Sequence, residues 1–308
     1  MMFKNSIKLL CANFDKVWKL LVYHIICIAI SVGLLAVFYK QYIDFAIIAF
    51  NQTDLGNVFQ TGTLYGTSFS NALTSVVDFI IVFFKEMFNA SVFQGVYFCI
   101  VVFFIFPLFL NVGKYVTCEM MYGYMSSCQK QSFTGTFLKT LKSSLSYAVV
   151  KVIYSIPFNA LIAFSMWGLT RVNNKVFNYV MPFAFVIIPA LLMAFKELLN
   201  GGWAPAKVVY AQNPFSAFTI GTQAVFRRGE RVFSTAFIIY LLAIVLSMIL
   251  GLYAIIIILP VVFPLIHIFE MVMFFSSQGM RFYVDNDTIL SPKKLEEKDG
   301  IEKAKYLL

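Results

Sequence analysis

"VFSTAFIIYLLAIVLSMILGLYAIIIILPVVFPLIHIF", residues 232 to 269, separates Arg231 from Glu270 by 38 residues without a formal charge. As one α-helix this run would extend ~57 Å, nearly twice the ~30 Å hydrocarbon core of a bilayer. It therefore reads as two spans, over 232–250 and 254–275, turning near Gly251 because glycine is a natural stop after a helix. Tyr253 at that turn has the amphipathic ring favoured at a membrane interface, as does Trp167 further up the chain.

Working outward, charge-free runs over 20–39, 87–113, 143–170 (interrupted only by Lys151) and 176–195 supply four more spans. The composition agrees: 60% of the 308 residues are hydrophobic and 13% are charged, where a soluble domain carries about 25% charged residues. The expected fold is all-α, a polytopic integral membrane protein with six transmembrane helices. Residues 1–283 form a single six-helix membrane domain in this reading, and 284–308 a charged cytoplasmic tail.

Lysine and arginine set the orientation. The segments before span one, between spans two and three, between spans four and five, and after span six hold nearly all of them. Only Lys40, Lys85, Arg171 and Lys175 fall on the other face, with Lys151 inside a span. The positive-inside rule then places both termini in the cytoplasm. The net charge of +9 becomes a topology signal and a basic inner face near anionic lipid headgroups, so nucleic acid is not needed to explain it.

The first 19 residues carry Phe3, Ile7, Leu10, Phe14 and Val17 at steps of three and four, with lysines elsewhere on the wheel. This pattern predicts an amphipathic helix, lying in the inner interface or packed against the ends of other spans. It leads into a retained anchor, since no small-residue cleavage site follows. The 40–86 loop has a Thr/Ser/Asn/Gly-rich middle that reads as irregular. Its end, over 71–88, is apolar but short for a span and reads as interfacial or re-entrant. Asn51-Gln52-Thr53 and Asn89-Ala90-Ser91 match the glycosylation triplet, which is too common by chance to decide anything. "CQKQSFTGTFLKTLKSSLSYAVVKVIY" and "AQNPFSAFTIGTQAVFRRGERVFSTAFIIY" echo one another, as a duplicated two-span unit or as ordinary membrane grammar would.

"WAPAKVVYAQNPFSAFTIGTQAVFRRGERVF", followed by a proline-bearing last span ending in "GMRFY", resembles a group of uncharacterised bacterial six-span membrane proteins. These are akin to the membrane domain attached to some glycerophosphodiester phosphodiesterases. The resemblance covers about residues 203–283. It implies a six-helix membrane module without an established chemistry, in a bacterial cytoplasmic membrane; the phosphodiesterase domain itself has no counterpart in this sequence.

Enzyme motifs are missing. There is no GxxxxGK[ST] phosphate cradle, no HExxH and no GxSxG, so catalysis is not expected and no cofactor is called for. The five cysteines lie in spans or on the predicted inner side without CxxC spacing, and with two histidines they make neither an outside disulfide nor a metal cluster. Ala217 and Gly221 match the small residues of an importer permease's ATPase-coupling loop. Phe215 and Arg231 replace the acidic and apolar residues that loop needs.

The polar groups within spans remain: His24, Lys151, Asn159, His267 and Glu270. A charge in hydrocarbon costs ~2.5–3.5 kcal/mol on insertion scales and turns toward protein, water or another charge. Lys151 could snorkel to the rim. Alternatively, Pro260 and Pro264 bend span six, His267 and Glu270 share one face of it, and Glu270 faces the bundle near Lys151 or His267. Two functions fit. The leading one is a non-enzymatic accessory or scaffold protein that binds a membrane-protein partner or lipid at its basic inner face. The alternative is a small-solute transporter or permease component with a polar site between helices.

Overall fold

The computed structural model describes residues 2–55, 67–172, 175–250, 258–284 and 289–290. The helices are α1 (Met2–Ala12), α2 (Phe14–Leu35), α3 (Tyr39–Gln52), α4 (Thr67–Ala90), α5 (Val92–Ile100), α6 (Phe106–Ser127) and α7 (Phe133–Arg171). They continue as α8 (Lys175–Asn200), α9 (Trp203–Tyr210), α10 (Pro214–Phe226), α11 (Gly229–Leu250) and α12 (Phe263–Gln278). A short antiparallel pair, β1 (Phe282–Tyr283) and β2 (Ile289–Leu290), matches Phe282 with Leu290. Among the described residues, six stretches are long and apolar enough to cross a membrane: Trp18–Gln52, Val92–Ser127, Phe133–Arg171, Val180–Tyr210, Gly229–Ile249 and Pro260–Gln278. The protein is an all-α, multi-pass membrane protein.

The helices outrun the charge-free runs. At 39 residues, α7 is about 58 Å long, so the ~30 Å core holds only part of it and its charged start continues as helix beyond. Lys114, read as the first residue of a loop, lies inside α6. Residues 87–90 close α4 instead of opening span two. Ser91 then takes extended backbone and its hydroxyl accepts the Gln94 N–H at 3.4 Å, which caps α5. The last helix runs to Gln278, where Gly279 adopts φ 72°, a left-handed stop. The expected turn at Gly251 and Tyr253, the middle of the 40–86 loop at 56–66, and most of the charged tail lie outside the described residues.

Contacts within the chain gather into two compact units. One comprises Met1–Ile25, Leu108–Val152 and Ala190–Leu308. Its centre is the last span, 67% buried in protein where the other spans are 17–28% buried. Here α1 packs on α12. The packed face is Ser6, Leu9, Leu10 and Asn13, while Ile7 and Phe14 of the expected apolar stripe stay exposed. Asn13 breaks α1 from α2 by turning its amide onto the Leu9 carbonyl at 3.0 Å.

Between α9 and α10 the contact is backbone to backbone. A Cβ on Gly202 would collide with the Gly221 carbonyl group, and one on Gly221 with that of Gly202. The turn is fixed by Asn213, whose side chain accepts the Ser216 N–H at 2.8 Å with Pro214 at the first helical position. Trp203, buried, donates its indole N–H to the Pro214 carbonyl at 2.7 Å. A cavity of about 20 Å³ in this unit, lined by Asn13, Leu20, Thr117, Met121 and Pro264 among others, has room for about one water.

The second unit comprises Ile26–Pro107 and Ile153–Pro189. Residues 40–52, expected as loop, form most of α3. Tyr42, Phe45 and Ala49 make an i, i+3, i+7 buried face there. This face meets α4, the helix covering 71–88, in a cluster of Tyr42, Phe45 and Met87 with Phe83, Phe84 and Phe98 around it. Tyr42 donates to the Gln94 carbonyl at 3.1 Å and Tyr97 to the Leu34 carbonyl at 2.8 Å. Arg171 pairs with Asp78 at 2.7 Å.

Candidate polar site within the spans

Five helices of the first unit each turn polar side chains of helical spacing toward one cluster. They are Lys114 and Cys118 on α6, Tyr147 and Lys151 on α7, Glu197 on α8, and His267 and Glu270 on α12, with Tyr240 from α11; Asn200 lies three residues beyond Glu197. Spacings of three and four put each pair on one helix face. All of these except Tyr240 are classed as buried. Glu270 is 0% exposed and Lys151 5%.

Lys114 is the hub. Its ammonium donates to Oε1 of Glu270 and stands 3.9 Å from Oε1 of Glu197. The Tyr240 hydroxyl donates to Oε2 of Glu197 at 3.1 Å. The two carboxyl groups thus stand against the same ammonium. The Lys151 ammonium lies 5.4 Å above the Tyr147 ring, within electrostatic reach of Lys114, Glu197 and Glu270. Two lysines thus stand against two glutamates, which is how charges inside a membrane are made tolerable.

The pairing leaves atoms over. Oε2 of Glu270, Oε1 of Glu197, the Tyr147 hydroxyl, both amide atoms of Asn200 and Nδ1 of His267 are buried without a hydrogen-bond partner among the described residues. Buried polar atoms are nearly always satisfied, because an unmet one costs ~1–3 kcal/mol. So many in one region mark it as polar beyond what helix packing needs.

Of the residues singled out from sequence, Lys151 and Glu270 come together in this cluster. His267 is buried on the same helix, with Lys114, Lys151 and His24 as its electrostatic neighbours. His24 is buried against Phe263, ring centroids 5.8 Å apart. Asn159 lies exposed on α7 in the other unit. Sequence reading missed Lys114, Glu197, Tyr147 and Tyr240. Lys114 and Glu197 stand one and two residues beyond runs that were closed at 113 and 195, so each was counted as loop.

The fold and the cluster together define a six-span α-helical membrane protein with a charge-paired polar centre inside its spans. Compared with protein-family models, curated proteins and solved structures, the chain gives no match.

Proposed function

We propose that this protein is a small-solute transporter, or the permease component of one, whose polar site is the Lys114, Lys151, Glu197 and Glu270 cluster. The supporting observation is that four buried ionisable side chains from four helices meet within the spans and leave polar atoms over. A contact that only held helices together would be cheaper as apolar packing, and replacing a buried ion pair by well-packed apolar residues is often neutral or stabilising. The four side chains are buried, so the site is closed to solute in this conformation. Pro260 in the π-turn Ile258–Val262 and Pro264 at the start of α12 are points where the last span can flex. Transport sites are commonly built on such interrupted helices.

In this reading the protein sits in a bacterial plasma membrane with both termini in the cytoplasm, supported by the lysine and arginine distribution and by the likeness of 203–283 to bacterial six-span proteins. Arg227, Arg228 and Arg231 then face anionic headgroups. A cysteine introduced beside Lys294 should react only with reagents that reach the inside. Labelling from outside would reverse the orientation.

The function is tested on purified protein with a panel of amino acids, sugars and inorganic anions, read by thermal shift. A solute at 100 times its Kd stabilises by ~2.7 kcal/mol. The expected result is a stabilising solute whose effect disappears in Glu270→Gln and which exchanges across proteoliposome membranes. A blank panel, together with a membrane protein that copurifies stoichiometrically, would establish the scaffold reading instead.

A further inference from the structure

We infer that Glu197 and Glu270, whose carboxyl groups stand against one ammonium, together bind one proton. Each carboxyl group has one oxygen engaged: Oε1 of Glu270 by Lys114 and Oε2 of Glu197 by Tyr240. The remaining oxygen of each is buried and accepts no hydrogen bond among the described residues, Oε1 of Glu197 having only the Lys114 ammonium 3.9 Å away. Two carboxylates side by side in a medium of low polarity repel strongly, and each unmet oxygen adds its own desolvation cost. One proton answers all three deficits. It removes one negative charge, and as the O–H of one carboxylic acid it donates to the free oxygen of the other. The aspartic-protease dyad shows that such pairs hold a single proton.

The groups facing the pair come from every element packed around it. They are Lys114 and Cys118 on α6, Tyr147 and Lys151 on α7, Lys196 on α8 and Tyr240 on α11, while His267 on α12 has Lys114 and Lys151 as its charged neighbours. Lys114 and Tyr240 already spend a donor on the other oxygens. Tyr147 has a hydroxyl without a hydrogen-bond partner among the described residues and stands closest in kind to a relay, since a hydroxyl can both accept and donate. The step is a plain protonation: an O–H bond forms on one carboxyl group, and the cluster gains one positive charge. Lys114 then faces one carboxylate instead of two, so proton arrival loosens the tie among α6, α8 and α12. This coupling rests on the transport reading above; proton binding itself does not.

The test is infrared difference spectroscopy of the reconstituted protein stepped from alkaline to acid pH, with and without ¹³C-labelled glutamate. A shared proton gives one glutamic-acid carbonyl band, shifted by the label, equal to one carboxyl per chain. Either Glu197→Gln or Glu270→Gln removes the whole band, because each takes away one half of the pair; Glu119→Gln, on α6 with Lys139 as its charged neighbour, leaves it. The wild-type spectrum keeps the test valid if a variant fails to fold. A wild-type spectrum with no label-sensitive acid band beyond the exposed glutamates would overturn the inference. So would two bands lost separately in the two variants. The solute panel decides the transport reading on its own, since it is read without reference to this band.

Discussion

Replacing Lys114 with methionine keeps most of the apolar stem of the side chain and removes the ammonium that stands against two buried carboxylates. At an effective dielectric constant near 20, one pair 3.9 Å apart, as for Glu197, is worth about 4 kcal/mol of attraction. Glu270 is in direct contact and contributes more, while repulsion from Lys151 takes some away. The expected net loss is the ~3–5 kcal/mol typical of stripping one partner from a buried pair. The double variant Lys114→Met/Glu270→Leu leaves one lysine facing one glutamate, so the charge again balances and most of the stability returns. Reversible unfolding in mixed micelles, run as a double-mutant cycle, measures both values. A single variant losing less than about 1 kcal/mol would place the pair among exposed ion pairs and refute the buried-hub argument. A double variant as unstable as the sum of its parts would refute the charge-balance argument.

Gly202→Ala or Gly221→Ala forces the α9 and α10 backbones apart and should cost ~1–3 kcal/mol in the same assay. Gly33→Ala, which meets nothing within 4 Å, should be neutral or gain up to ~1 kcal/mol from helix propensity. Tyr240→Phe strands Oε2 of Glu197 and should lose about 1.5–3 kcal/mol, the worth of a hydrogen bond to a charged group. Arg171→Gln breaks a pair whose side chains are 49% and 35% exposed. It should change stability by no more than ~1 kcal/mol, with the difference shrinking as salt is raised.

The fold was legible because its signal is redundant. An apolar run of about 20 residues has few alternatives to a membrane helix, and the 38-residue run between Arg231 and Glu270 had to be two spans on length alone. What eluded reading was where helices stop, since backbone hydrogen bonding continues past the hydrocarbon boundary. Lys139 and Lys142 lie in the same helix as the span beyond them. The α3 segment was hidden differently. It fell within the 40–86 stretch read as loop, yet Tyr42, Phe45 and Ala49 bury one face against α4, and tertiary packing outweighs a mixed composition.

The site was half legible for a related reason. Ending each span at its first charge finds a charge only when apolar residues flank it on both sides, as they do Lys151 and Glu270. A charge at the last turn of a run is discarded with the loop, and Lys114 and Glu197 were lost that way. Yet the ends carried a usable pattern. Spans two, four and six run in the same direction, so residues near their ends share a depth whatever the loops do. Lys114 and Glu197 stand just past two of those ends and Glu270 a turn or so inside the third, and their charges of plus one and twice minus one are incomplete without a second cation. Lys151, on a span of opposite direction and about nine residues from its start, supplies it. Charge balance among residues of equal depth recovers the cluster that hydropathy windows cut apart, because a buried charge without its counter-charge is what the membrane does not tolerate.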